Sequence, residues 1–258
     1  MRPRTLVLAG MLVLAAICAI LFWPSGREER RAIEARPRDG ARPDNAEKIR
    51  LSLLSFMEHS PRDAVAGSII VIVPDPSDFE AFLDSASRAG VDLRRPVPEL
   101  GIALVQAPQK ADRERLLDCM PARSLLDYDF STFCPDLAEL SLPGDLVSWG
   151  EIPGSAIGVP DDVNWGKGVR LALLDTRVGP HYVLAASSIV QYGGAGLSAG
   201  AGWHGTAMAS VICGRDASVT GVSPSVQLMA FPVLGADGSG DVYSLAANIV
   251  DAINAGAA

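Results

Sequence analysis

Two short stretches of the chain hold the residue types that can move a proton. Val169 to Thr176 reads V-R-L-A-L-L-D-T, an apolar run closing on Asp175. Trp203 to Gly214 reads W-H-G-T-A-M-A-S-V-I-C-G, opening on His204 and continuing through small and apolar residues to a glycine. A carboxylate on one imidazole nitrogen fixes the tautomer and stabilises the imidazolium, and the other nitrogen is then free to take a proton from a hydroxyl. Singly, Asp175 reads as a strand-end carboxylate capping a turn, and His204 as a buried histidine satisfied by its surroundings. Together, with these flanks, they favour an acid–base pair. That chemistry needs a strand ending on the acid beside a helix beginning on the imidazole.

The elements that would position them follow from hydrophobic pattern. Val169 to Leu174 reads as a parallel strand covered on both faces. Ser188 to Tyr192 reads as a second strand and Val226 to Leu234 as a third. Between them His204 to Cys213 reads as a helix, with Ala207, Met208, Val211 and Ile212 inward. Gly235 to Gly240 is a turn-rich loop that matches neither a phosphate nor a calcium-loop spacing. Asp241 then suits the N-cap of a helix over Val242 to Ala255. Alternating strands and helices imply an α/β parallel sheet with right-handed crossovers. The reactive site of such a sheet lies beyond the carboxyl ends of its strands, where Asp175 falls. No glycine-rich loop follows the first strand, so a nucleotide-binding domain is set aside.

Upstream, Gly67 to Tyr128 alternates in shorter pieces. Strands are expected at Ser68 to Val73, Val91 to Val97, Gly101 to Gln106 and Leu125 to Phe130. Helices are expected at Asp75 to Arg88, with Ser77 as cap and Phe79, Phe82, Leu83 and Ala86 inward, and at Asp112 to Met120, with Leu116 and Leu117 inward. Gly90 suits the end of the first. The order β-α-β-β-α-β is the split βαβ, ferredoxin-like arrangement. Ile49 to His59 is expected to begin a short helix with Leu51, Leu54, Phe56 and Met57 on one face.

The flanking pattern around Asp175 and His204 resembles one family. L-A-L-L-D-T-R-V is similar to the V-A-V-I-D-T-G-V strand around the catalytic Asp of subtilisin-like serine proteases. W-H-G-T-A-M-A-S-V-I-C-G resembles their G-H-G-T-H-V-A-G-T-I-A-G segment around the catalytic His. G-V-S-P-S-V-Q-L-M-A-F-P-V-L resembles the next strand, G-V-A-P-A-A-K-L-Y-A-V-K-V-L, and Asn164-Trp165-Gly166 is similar to the approach to the first strand. The likeness covers about residues 160–258. It implies a serine endopeptidase acting on protein or peptide substrates, with Asp175 orienting and His204 as general base. In length, element order and position, the α+β unit resembles the propeptide or inhibitor-like domain that precedes many such catalytic domains, and it is expected to pack on the catalytic part.

The sequence departs from the family's pattern in places. Arg177 replaces the Gly of D-T-G, and requires strain only if that position needs a positive φ. Ala207-Met208 replaces His-Val, and Ser210 replaces Gly. No G-T-S-M-A segment occurs, and Ser198, Ser210, Ser223 and Ser239 lack a nucleophile's context. The resemblance therefore puts the nucleophilic Ser and the oxyanion-hole Asn beyond Ala258, and leaves the chain inactive as it stands. The alternative is a non-catalytic pseudoprotease or peptide-binding module. His181 is expected at the rim, His59 as incidental, and Asp161 and Asp162 as solvated. No pattern requires a cofactor or metal.

The remaining bounds come from composition. A net charge of -8, with the acidic excess after residue 50, argues against a nucleic-acid partner. Thr5 to Trp23 is uncharged, follows Arg2 and Arg4, and is long enough to cross a membrane. It is expected to be a signal anchor or signal peptide, leaving the body membrane-anchored and facing the periplasm or cell exterior, or secreted if the segment is cleaved. Arg, Glu, Ala and Pro then dominate a polar tether. The expected divisions are 1–23 for the apolar segment, 24–65 for the tether, 66–130 for the propeptide-like domain, 131–165 for a linker and 166–258 for an incomplete subtilisin-like domain. Four cysteines are too few for a disulfide scaffold; Cys119 and Cys134 either bridge or act as two small apolar side chains. The three expected core strands leave a sheet edge unpaired and apolar surface uncovered, so the isolated chain is expected to be sticky.

Overall fold

A computed structural model describes residues 33–34, 43–134, 162–193, 203–216 and 219–258. The apolar segment at 1–23 and most of the linker at 135–161 lie outside these residues. Among the described residues no helix is long and apolar enough to cross a membrane.

The first half is built on β2 (Ala64–Ile72), α2 (Pro76–Arg88), β3 (Asp92–Val97), β4 (Ile102–Gln106), α3 (Lys110–Cys119) and β5 (Leu125–Phe133). A helix α1 (Pro43–Glu58) precedes them, and a two-residue β1 (Ile33–Glu34) pairs with β5. The strands lie in the order β3-β4-β2-β5 and every pairing is antiparallel. Strand periodicity explains why this sheet needs two cores. On β2, Ile69 and Val71, with Val73 just past its end, point into a cluster with Leu53, Met57, Phe79, Phe82 and Leu116 from the three helices. Ile70 and Ile72 point the other way and join Val97, Ile102 and Leu104 in a second cluster. A sheet apolar on both faces must be covered on both.

Local details differ from expectation for identifiable reasons. The cap of α2 is Asp75, whose Oδ1 accepts from the Ser77 and Asp78 amides; Ser77 lies two residues too late. A capping box between Gln109 and Asp112 starts α3 earlier than Asp112. On α1, Leu53 is buried while Leu51 is 56% exposed, because the helix begins at Pro43 and turns a different stripe inward. Cys119 and Cys134 are not bridged.

The second half carries β6 (Arg170–Thr176), β7 (Ser188–Gln191), α4 (Trp203–Cys213), the short strands β8 (Arg215–Asp216) and β9 (Val219–Thr220), β10 (Gln227–Leu234), β11 (Ser239–Asp241) and α5 (Val242–Asn254). β10 runs parallel to both β6 and β7. Alternation again separates two faces. Leu228 and Ala230 of β10, with Leu171 and Leu173 of β6, meet Ala209, Cys213 and Ile212 of α4. Met229 and Phe231, with Ala172 and Leu174, meet Ala252 at the end of α5. Thus α4 covers one face and α5 the other.

Helix α4 differs from expectation in its inward stripe. Gly205, Ala209 and Cys213 are buried, whereas Met208 is 37% and Val211 51% exposed. The expected face, Ala207, Met208, Val211 and Ile212, keeps only Ile212 against the core. Four-residue spacing of the smallest side chains lets the helix backbone come close to the sheet, and that decides the rotation over side-chain size.

The halves share one sheet. β11 pairs antiparallel with β10 at Leu234–Gly240, and with β5 at Ser239–Phe133, Gly240–Thr132 and Asp241–Ser131. Helix α5 lies under both parts. Tyr243 and Ala247, with Val250, close the second face of the antiparallel sheet, while Ala252 faces the parallel one.

Candidate active site

Strand alternation places Asp175 on the same face of β6 as Leu171 and Leu173, the face that α4 covers. The helix can begin there because residue 205 is glycine. A Cβ at Gly205 would collide with the carbonyl oxygen of Thr176, so only glycine allows the helix start to rest on the strand end. The Gly205 amide donates to Thr176 Oγ1 at 2.9 Å, and Thr206 Oγ1 accepts from the Gly179 amide at 2.9 Å. Both bonds tie the loop after β6 to the first turn of α4. Thr206 therefore bonds across the loop.

These braces bring Asp175 and His204 together. His204 Nδ1 lies 2.8 Å from Oδ1 and 2.8 Å from Oδ2 of Asp175. Asp175 is 6% exposed, and its Oδ1 also accepts from the Thr176 amide at 2.6 Å. An ionised carboxylate only accepts, so the Nδ1 proton sits between the two groups and Nε2 is the nitrogen left to accept. The His204 side chain keeps 23% of its surface exposed. A buried acid, a partly exposed imidazole and a free Nε2 suit proton transfer to and from a bound hydroxyl.

Arg177, two residues past Asp175, is exposed. Among the described non-glycine residues only Arg95 and Arg123 have a positive φ, so Arg177 stands there without backbone strain. Trp203 packs its indole against the imidazole with ring centroids 5.4 Å apart and planes at 80°. Sequence reasoning passed over it, although it directly precedes His204.

The other candidates lie apart from this pair. His181 is exposed and rests on Tyr182, and His59, just past the end of α1, bonds the Ser55 backbone carbonyl through Nδ1. Asp162 is exposed and accepts from the Asn164 amide at 2.9 Å, while Asp161 and Ser198 lie outside the described residues. Ser210 donates to the Thr206 carbonyl, and Ser239 donates to Asp237. Among the described residues no group of three His, Cys, Asp or Glu is placed to hold a metal ion.

A second pair of carboxylates sits where the halves meet. Asp241 caps α5, its Oδ1 accepting from the Ser244 amide at 2.6 Å. Asp129 of β5, 1% exposed, accepts from the Tyr243 amide of the same helix start at 3.1 Å. Burial pushes Asp129 up to about 6, the Asp241 charge adds to this, and the Tyr243 amide opposes it. Close by, the Tyr243 hydroxyl donates to the Arg95 carbonyl, and Arg95 pairs with Asp251 at the exposed rim. Burial also pushes the Tyr243 hydroxyl up to about 12.

A carboxylate–imidazole pair at the carboxyl end of a parallel sheet is an arrangement suited to proton transfer, and the comparisons say what the chain is similar to. Residues 166–258 match the subtilase family, peptidase S8. An alkaline protease of Shouchella clausii is 33% identical over 165 residues, covering 62% of this chain and 40% of that protein. Subtilisin Savinase of Lederbergia lenta is 41% identical over 96 residues, covering 35% of each chain. The chain thus spans less than half the length of these relatives. Among solved structures, fervidolysin from Fervidobacterium pennivorans, a keratinolytic enzyme related to subtilisin, superposes with a TM-score of 0.53 at 19% identity. That match covers 78% of this chain and 36% of fervidolysin, and it supports the fold.

Proposed function

We propose that this chain is the N-terminal part of a subtilisin-type serine endopeptidase in which Asp175 orients His204 and His204 is the general base. The observation that carries the reading is the two-oxygen contact of Asp175 with His204 Nδ1, both at 2.8 Å, which leaves Nε2 to deprotonate a serine hydroxyl. That serine would come from sequence beyond residue 258 and attack the peptide carbonyl. Nε2 would then return the proton to the leaving amine. The family match and the fold likeness support the reaction class.

The antiparallel unit, proposed as residues 66–130 from sequence, would act as a propeptide. Its packing over α5 and the pairing of β5 with β11 support this. Leu234 of β10 lies between Thr176 of β6 and Gly240 of β11, so β11 and β10 separate β5 from the Asp175 strand. The 1–23 segment, uncharged from Thr5 to Trp23, would hold the body outside the cytoplasm or be cleaved to release it there.

The test uses the full-length gene product. A serine-directed fluorophosphonate should label it, and His204→Ala should abolish labelling and peptide cleavage alike. Undiminished labelling in that variant would remove the general-base role. Absence of labelling and cleavage in the unsubstituted, processed protein would favour a peptide-binding module.

A further inference from the structure

The indole of Trp203 stands against the imidazole of His204, and it is not used by the core. The buried stripe of α4 is Gly205, Ala209 and Cys213, with Trp203 outside it and 58% exposed. Its position is nevertheless fixed. The helix start is tied to the strand end by the Gly205 amide on Thr176 Oγ1 and by Thr206 Oγ1 on the Gly179 amide. The ring stands perpendicular to the imidazole, centroids 5.4 Å apart. Since Nδ1 is committed to Asp175, the reacting hydroxyl and carbonyl must approach Nε2 within hydrogen-bond reach, about 3 Å. A rigid aromatic ring this close to the imidazole presents its free surface to whatever flanks those atoms. A large amphipathic ring held open at small entropic loss is the kind of residue on which binding energy concentrates.

We propose that Trp203 is a specificity-determining residue, an apolar wall beside Nε2 of His204 that contacts the substrate side chain adjoining the scissile bond. The site then prefers peptides with a large apolar or aromatic residue there over glycine or a charged residue. This rests on the proposed serine-peptidase reading.

The experiment measures kcat/KM of the processed full-length gene product on matched peptides. These differ only in the residues flanking the cleaved bond: leucine or phenylalanine, glycine, and glutamate, on either side in turn. The unsubstituted protein should favour the apolar peptide on one side of the bond. Trp203→Ser should shrink the apolar-to-glycine ratio about tenfold, in the range one lost apolar contact supplies. Trp203→Phe should keep most of it. An unchanged ratio in Trp203→Ser, or an equal fractional loss on all peptides, overturns the assignment while leaving the peptidase reading intact. No hydrolysis of any peptide by the unsubstituted protein removes both.

Discussion

At the scale of single residues, the site depends on Gly205 as much as on the acid and the imidazole. The helix that carries His204 can rest on β6 only because no Cβ stands between the residue 205 backbone and the Thr176 carbonyl. Gly205→Ala should therefore lower stability by about 1–3 kcal/mol through overpacking, against the small gain alanine usually brings to a helix. Thermal unfolding would show this, and an unchanged or raised midpoint would contradict the close approach. The sequence made the Asp175 and His204 encounter legible because each residue sits at an element end with a distinctive flank. Thr176 and Thr206 as cross-loop braces were less legible, since their partners are the Gly205 amide nearly thirty residues on and the Gly179 amide nearly as far back. Trp203 was hidden because the expected helix began at His204, one residue after it.

At the scale of elements, α5 begins between two carboxylates, and the buried one sets a pH dependence. Asp129 is raised in the folded state to about 6, from an ordinary aspartate value of about 3.9. Between these values the folded protein binds the proton and the unfolded chain does not. The Asp129 contribution is thus complete below about pH 4 and is lost as pH rises through 6. The favourable field at the helix N-terminus is outweighed by burial and by Asp241. Asp129→Asn keeps an acceptor for the Tyr243 amide and discards the charge. It should match the unsubstituted protein in melting temperature near pH 4 and exceed it at pH 7. A constant difference across that range would count against the assignment.

The β11 ladder makes a second prediction at this scale. A Cβ on Gly240 would stand 2.5 Å from the Val233 carbonyl oxygen and 3.1 Å from Thr132 Oγ1. Gly240→Ala should push β5 outward, and the Cys134 amide, 2.8 Å from the Gly238 carbonyl, should exchange faster in deuterated solvent. Unaltered exchange would mean that the turn absorbs the methyl group. Sequence reasoning read 235–240 as turn alone, because Ser239-Gly240-Asp241 has no strand propensity; its extended form comes from β5, more than a hundred positions earlier. For the same reason β5 was expected to stop at Phe130, although its last residues pair with β11.

At the scale of the whole molecule, the two halves were legible separately and their junction was not. Periodicity identifies the antiparallel unit and the parallel one, and the two-faced apolar pattern of β2 and β4 already calls for a second cover. It does not say that α5 supplies it. Elsewhere the chain leaves large apolar side chains open, including Trp165, Tyr182 and Val211. The 258-residue chain should accordingly self-associate as its concentration rises, with light scattering as the readout. A sharp, concentration-independent monomeric transition would contradict this.

Strand β5 joins the two parts of the shared sheet, and backbone connectivity through 135–161 makes its seat on β11 a unimolecular affair. A single hydrolytic nick in that stretch would turn a fold into a complex. The same hydrogen bonds would remain, but their survival would now depend on dilution, with retention resting on the α5 contact and a three-residue ladder. Nicked protein should thus shed its first half in proportion to the volume it is given, while the intact chain keeps it at any concentration.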